Sequence, residues 1–165
     1  MRFNLFLLAC ICVLSISCDK ESCTKEVSQE LLDLTDKNQL AIDQQLIQDY
    51  ISTNNLGPTQ EINGITYIVE KEGNGDTPCL ENEVTVIYKG RLMSDGSVFD
   101  LNNAGVTFAL KDLILGWQLS FPSFSKGTKA TIYIPSVYAY GKSGFSPRIP
   151  PNANLIFEIE MVNFR

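Results

Sequence analysis

Three hydrophobic periods follow one another along the 165 residues of this chain. Behind a basic Met1-Arg2 start, the stretch from Phe3 to Ile16 is apolar except for Asn4 and Ser15. The chain then turns polar, with Val27, Leu31 and Leu34 spaced as a short helical stripe in a segment otherwise suited to a flexible tether. Over residues 36–57 the period is helical: Leu40, Ile47 and Ile51 fall on one face, with Leu46 and Tyr50 alongside. Asp36 supplies a cap, and Asn54-Asn55 with Gly57-Pro58 supply the stop. This predicts a helix of about five turns that packs on the following domain; a dimerisation arm is the alternative reading.

Beyond Pro58 the period drops to two. Ile65-Thr-Tyr-Ile-Val69 reads as a strand and Gly73-Asn-Gly75 as a turn, and residues 84–88 are rich in β-branched side chains. Ala130, Ile132 and Ile134 alternate with Thr131 and Tyr133, and Leu155, Phe157, Ile159 and Met161 alternate with glutamates. Such alternation predicts antiparallel strands with one buried and one wet face. Residues 112–124 are the one stretch able to form a helix over the buried face. The expectation is therefore an α+β domain, a curved antiparallel sheet covered by one short helix and preceded by an N-terminal helix.

Charge narrows the partners. With 13 basic against 19 acidic residues and a net charge of -6, a phosphate backbone is repelled on average, so no nucleic acid is expected. The chain has no histidine. That excludes Ser-His-Asp and Cys-His nucleophile chemistry and histidine-built zinc sites, and no metal or other cofactor is expected.

The apolar run at the start would be roughly 21 Å long as a helix, short of the about 30 Å of a bilayer core. It leads through Leu14-Ser-Ile-Ser into Cys18. That pattern resembles a bacterial lipoprotein signal, although Ser15 stands where an apolar residue is usual, with Leu14 one place earlier. The resemblance implies removal of residues 1–17, lipid on Cys18, a tether over 18–35, and export to a membrane of the cell envelope, the domain lying in the periplasm or at the cell surface. An ordinary cleaved signal or an uncleaved anchor is the alternative. Cys10 and Cys12 fall inside the signal, which leaves Cys23 and Cys79. They are either bridged, stapling the N-terminal segment to the domain, or two free thiols.

The chemistry lies in six fragments read in order. These are Val84-Thr-Val-Ile-Tyr-Lys-Gly90, Asp95-Gly-Ser-Val-Phe-Asp100, Ile114-Leu-Gly-Trp117, Tyr138-Ala-Tyr-Gly141, Ile149-Pro-Pro-Asn152 and Leu155-Ile-Phe-Glu-Ile-Glu160. Singly, each is an ordinary strand, turn or core fragment. Together, at these intervals, they resemble the FKBP-type peptidyl-prolyl isomerases, which speed cis/trans exchange at X-Pro bonds. The resemblance spans about residues 64–165, inside an expected domain at 58–165.

From that resemblance Tyr88, Asp100, Tyr140 and Phe99 are the expected catalytic residues, with Trp117, Ile114, Leu113, Phe157, Ile149 and Val106 binding substrate. Trp117 would floor a pocket for the proline ring, walled by Tyr88, Phe99 and Phe157. Asp100 would orient the Tyr88 hydroxyl, and Tyr140 would donate to a substrate carbonyl. The Ile114 N–H would bind the carbonyl beyond the proline beside Leu113, and Ile149 would sit on a closing loop.

Some positions depart from the family pattern. Val106 replaces a further aromatic wall, which predicts a wider pocket there. Pro122 falls inside the expected helix, and Ser120 replaces a frequent glycine. Arg148 replaces an apolar loop residue, with Phe145 near enough to compensate. These departures bear on substrate preference and on the fit of macrolide inhibitors. The expected partners are X-Pro-containing, unfolded or partly folded polypeptides, met by a monomer. The alternative function is a catalytically weak chaperone or binding module for extended proline-containing segments; a lipoprotein binding a small apolar ligand ranks behind both.

Overall fold

The computed structural model describes residues 23–165, so the expected signal over 1–17 and Cys18 lie outside the described residues. A short helix α1 (Gln29–Asp33), capped by Ser28, precedes the longer α2 (Lys37–Thr53). Asp36 caps α2, its carboxylate accepting from the N–H groups of Asn38 at 3.0 Å and Gln39 at 3.1 Å. The strands are β1 (Gln60–Ile62), β2 (Ile65–Lys71), β3 (Glu83–Leu92), β4 (Val98–Ala109), β5 (Lys129–Ile134) and β6 (Leu155–Phe164). They form one six-stranded antiparallel sheet in the order β1-β2-β5-β6-β3-β4. With one short helix on its inner face, this is the α+β layout that the alternating positions predict. No described helix is long and apolar enough to cross a membrane.

Burial follows the two-residue period on β3, where Val84, Val86, Tyr88, Gly90 and Leu92 point inward and the intervening residues are half exposed. The inner face also takes Ala130, Ile132 and Ile134 from β5 and Leu155, Phe157, Ile159 and Met161 from β6. Helix α3 (Leu115–Ser120) covers it, flanked by 3-10 turns at Leu110–Asp112 and Phe121–Ser123. The helix expected over 112–124 is thus cut to six residues. Pro122 accounts for the stop, because a proline ring clashes with the preceding turn inside an α-helix but is tolerated at the start of the 3-10 turn it occupies. Gly116 lets α3 sit tightly on β5, since a Cβ there would lie 2.5 Å from Ile134 Cγ2.

The outer face is not uniformly wet. Tyr133, which alternation assigns to solvent, is buried together with Ile156 under Ile47 and Ile51 of α2. Helix α2 therefore packs on the domain, on the opposite side of the sheet from α3. Its anchor is Asp43, fully buried, which accepts from the Ser136 hydroxyl at 2.6 Å and the Gln39 amide at 2.9 Å. Gln44 and Gln48 add bonds to the Gly64 carbonyl and the Thr66 hydroxyl, both 3.2 Å.

Residues 23–35 fall in the segment expected as a tether; here they lie along the domain. Cys23 and Cys79 are disulfide-bonded, with Cα atoms 5.2 Å apart. The Leu80 N–H donates to the Thr24 carbonyl at 2.7 Å, and Lys25 Nζ donates to the Thr77 hydroxyl at 2.7 Å. Val27 and Leu32 pack against the main core. Apolar contact and the covalent link together replace the loose arrangement that polarity alone suggests.

Candidate functional site

Strands β3, β4 and β6 and helix α3 converge on a cavity of about 190 Å³ lined by Tyr88, Phe99, Asp100, Phe108, Leu113, Ile114, Trp117, Tyr140 and Phe157. Trp117 is 3% exposed and stacks on Phe121 with centroids 4.5 Å apart. Tyr88 and Phe157 meet its ring edge-on at 5.4 and 5.2 Å. Phe99 in turn meets Phe157 edge-on at 5.5 Å. Edge-to-face packing is the favoured geometry for aromatic pairs, so each ring fixes the next. The result is a tightly packed aromatic bowl with an indole at its floor.

Backbone sterics set the depth of the bowl. Gly90 pairs with Asp100 of β4 on one side and Phe157 of β6 on the other. A Cβ on Gly90 would lie 2.6 Å from Phe99 Cζ and 3.0 Å from Phe157 Cε1. The glycine that ends the first motif therefore makes room for two wall residues.

Polar groups stand at the rim. The Tyr88 hydroxyl donates to Asp100 Oδ2 at 2.7 Å, while Asp100 Oδ1 accepts from the Leu101 N–H at 2.9 Å. With both carboxylate oxygens engaged, the Tyr88 ring is held in one orientation. Burial, and then the Asp100 carboxylate, push the Tyr88 hydroxyl well above its ordinary range. Burial and Asp100 raise Tyr140 as well. Both hydroxyls thus stay protonated, as donors, at neutral pH. Among the described residues no acceptor takes the Tyr140 hydroxyl or the Ile114 N–H. The loop before Ile114 is pinned by the Gln118 amide, which donates to the carbonyls of Lys111 at 3.0 Å and Leu113 at 2.7 Å.

Of the expected site residues, eight line this cavity, and Ile149 is buried in an adjoining one of about 90 Å³ that shares Phe99, Asp100 and Tyr140. Val106 does not line the cavity. It sits opposite Val86 and packs into the core, while Phe108, two residues on and opposite Val84, lines the wall. Phe108 lies 6.3 Å from Tyr88 and 6.4 Å from Trp117 between centroids, so the pocket is not widened on that side. Arg148 also has a role that sequence reasoning missed: its Nη1 donates to the Phe99 carbonyl at 3.2 Å, tying the loop before Ile149 to β4. Phe145, on the same loop, lies 5.3 Å from the Tyr140 ring.

Comparison with known proteins places the family and the fold. Residues 75–162 match the sequence model of the family described as FKBP-type peptidyl-prolyl cis-trans isomerase. The chain is 42% identical over 102 residues to a protein of Neisseria meningitidis serogroup B named as a probable FKBP-type peptidyl-prolyl cis-trans isomerase FkpA, a match covering 60% of this chain and 37% of that one. It is 40% identical over 106 residues to the peptidyl-prolyl cis-trans isomerase Mip of Coxiella burnetii, covering 62% and 46% respectively. The chain thus spans less than half the length of either relative. A crystal structure of a peptidyl-prolyl cis-trans isomerase from Pseudomonas syringae pv. tomato superposes with a TM-score of 0.66 at 28% identity, covering 84% of this chain and 97% of that one.

Proposed function

As this chain belongs to the FKBP-type peptidyl-prolyl cis-trans isomerase family, we propose that it catalyses cis/trans exchange at X-Pro bonds of unfolded or partly folded polypeptides. The observation that carries this reading is the closed ring set, Tyr88, Phe99, Trp117 and Phe157, around a cavity with free donors at its rim. Rotation about a peptide bond costs about 18–20 kcal/mol because the planar amide is stabilised by resonance. The planar form is also the more polar one, and water favours it over the twisted form. A cavity that excludes water removes that advantage, and fixed donors can hold the substrate in the twisted geometry. No proton transfer and no covalent step is needed.

In this reading the proline ring rests on Trp117 against Phe157 and Phe99. Tyr140 donates to a substrate carbonyl, and the Ile114 N–H takes the carbonyl beyond the proline. Asp100 is a positioning residue that holds Tyr88. Ile149, clasped through Arg148, covers the substrate from the loop side. The cavity of about 190 Å³ takes a ring the size of proline, so a macrolide inhibitor would place one such ring in it and leave the rest of the molecule outside.

The test is isomerisation of a Leu-Pro peptide by a chain beginning at Glu21, which retains every described element. Tyr140→Phe is expected to lower kcat/KM about fivefold to tenfold, the worth of one hydrogen bond. Trp117→Leu and Asp100→Ala are expected to lower it further while circular dichroism stays unchanged. Because the raised hydroxyls do not ionise below their ordinary value near 10, the rate should be flat between about pH 6 and 9. Three folded variants with unaltered rates would remove the assignment.

We further propose that the chain is exported, lipid-anchored through Cys18 and monomeric, with the domain facing an envelope compartment. The disulfide between Cys23 and Cys79 supports export, since such bonds persist in oxidising compartments. Labelled palmitate should enter the full-length protein in a bacterial host and be absent from Cys18→Ala; label retained in that variant would refute the anchor.

A further inference from the structure

We infer that the N-terminal segment builds a second substrate subsite, a groove with one apolar side that takes bulky side chains following the bound proline. The inference rests on the isomerase reading above and extends it. A groove of about 440 Å³ has Leu31, Leu34, Leu115 and Val137 as its apolar side, the rest of its lining being polar, with Asp36 and Lys142 among it. This groove and the proline cavity are lined by consecutive residues of the chain. Ile114 and Tyr140 line the cavity, whereas their chain neighbours Leu115 and Gly141 line the groove. The residues between them carry two free donors of the site, the Ile114 N–H and the Tyr140 hydroxyl. A polypeptide whose carbonyl beyond the proline bonds the Ile114 N–H leaves the cavity over Leu115 and enters the groove.

The far wall of the groove comes from α1. Leu34 is 79% exposed and Leu31 40%, while neighbouring Leu32 turns inward onto the core. Two adjacent apolar side chains left in solvent, opposite Leu115 and Val137, leave surface that a bound chain can cover. The segment is held there by Ser28 capping α1, by Lys37 Nζ donating to the Leu32 carbonyl at 2.6 Å, and upstream by the Cys23–Cys79 bond. The occupant that fits is an extended, unfolded segment with leucine-like residues just after the proline. A globular surface would not reach over Ile114 and Tyr140.

Two longer peptides separate this groove from the proline cavity. Both carry Leu-Pro, and the second and third residues after the proline are Leu-Leu in one and Ser-Ser in the other. The expected preference for Leu-Leu is about tenfold in kcat/KM, as for partly burying apolar groups in a groove. Leu34→Glu and Leu31→Ser should each abolish most of that preference and leave turnover of a short Leu-Pro peptide unchanged. Both side chains are exposed, so folding is not at risk. Binding of the two peptides, followed by fluorescence anisotropy, gives the same comparison without turnover. Should every peptide fail to turn over while Leu-Leu still binds more tightly in a Leu34-dependent way, the isomerase reading falls and the groove stands. Equal behaviour of the two peptides, a preference that survives both substitutions, or one that follows residues before the proline would overturn the groove. So would concentration-dependent self-association lost in Leu34→Glu, which would make a second copy the occupant.

Discussion

Removing the Cys23–Cys79 bridge, by reduction or as the paired Cys23→Ser and Cys79→Ser variant, is expected to lower the free energy of unfolding by about 4 kcal/mol. The two residues are 56 apart in sequence, and closing a loop of that length removes roughly that much conformational freedom from the unfolded chain. A native stability of about 5–15 kcal/mol is ordinary for a domain, so the loss is a large share of the whole. It should appear as a lower urea midpoint. The damage should also be local in the folded state. Residues 24–27 would lose their fixed position along 77–81, and with them α1. The inner sheet and the loop before Ile114 would keep their own bonds, because the Asn82 and Leu80 carbonyls accept from the N–H groups of Leu110 at 3.0 Å and Lys111 at 3.1 Å. Hydrogen exchange should therefore rise in 24–34 and remain slow in β3, β5 and β6. A reduced protein with an unchanged urea midpoint would show that the bridge contributes nothing to stability.

What could be read from the sequence was what obeys a simple period or a fixed local motif. Ala130, Ile132 and Ile134 of β5 and Leu155, Phe157, Ile159 and Met161 of β6 keep a two-residue period because they face the core, and Asp36 stands at the start of a helical stripe. The site residues were legible through the order of the six fragments, which brings Tyr88, Phe99, Asp100, Ile114, Trp117, Tyr140 and Phe157 to one cavity. Strand β4 was not legible. It is an edge strand with Val98 and Leu101 about half exposed and Asn102-Asn103-Ala104-Gly105 in its middle, so no two-residue alternation survives. The resemblance sets Val106 at the position of an aromatic wall and expects a wider pocket, whereas Phe108 supplies that wall. Register across a bulge, where Val86 faces Val106 and Tyr88 faces Asn102, cannot be counted from one strand alone. Tyr133 looked wet because its other face is covered by a helix from a distant part of the chain. The sequence singles out Cys23 and Cys79 as the pair but does not decide between a bridge and two thiols, since spacing in sequence says nothing about a 5.2 Å approach in space.

Gly90→Ala is expected to reduce turnover about tenfold to hundredfold, the scale of misplacing reacting groups by an ångström, although one methyl is all that is added. The new Cβ would stand 2.6 and 2.7 Å from two atoms of the Phe99 ring and 3.0 Å from Phe157. Neither ring has a free direction of retreat except into the cavity. Phe157 is wedged against Trp117 at 5.2 Å and Tyr88 at 6.3 Å, and Phe99 meets Phe157 edge-on at 5.5 Å. Relief has to come from both rings turning into the cavity of about 190 Å³ where the proline would rest. Overpacking of this kind also costs about 1–3 kcal/mol of stability, so lost rate must be separated from lost fold. A second substitution does that. Gly90→Ala with Phe99→Leu removes the nearest ring atoms, which should restore most of the unfolding free energy while turnover stays low, because the wall itself is gone. Recovery of both quantities in the double variant would mean that Phe99 is packing material and no part of the binding surface. Full activity of Gly90→Ala alone would mean that the rings yield freely, and a rigid aromatic bowl could not then be what the reaction depends on.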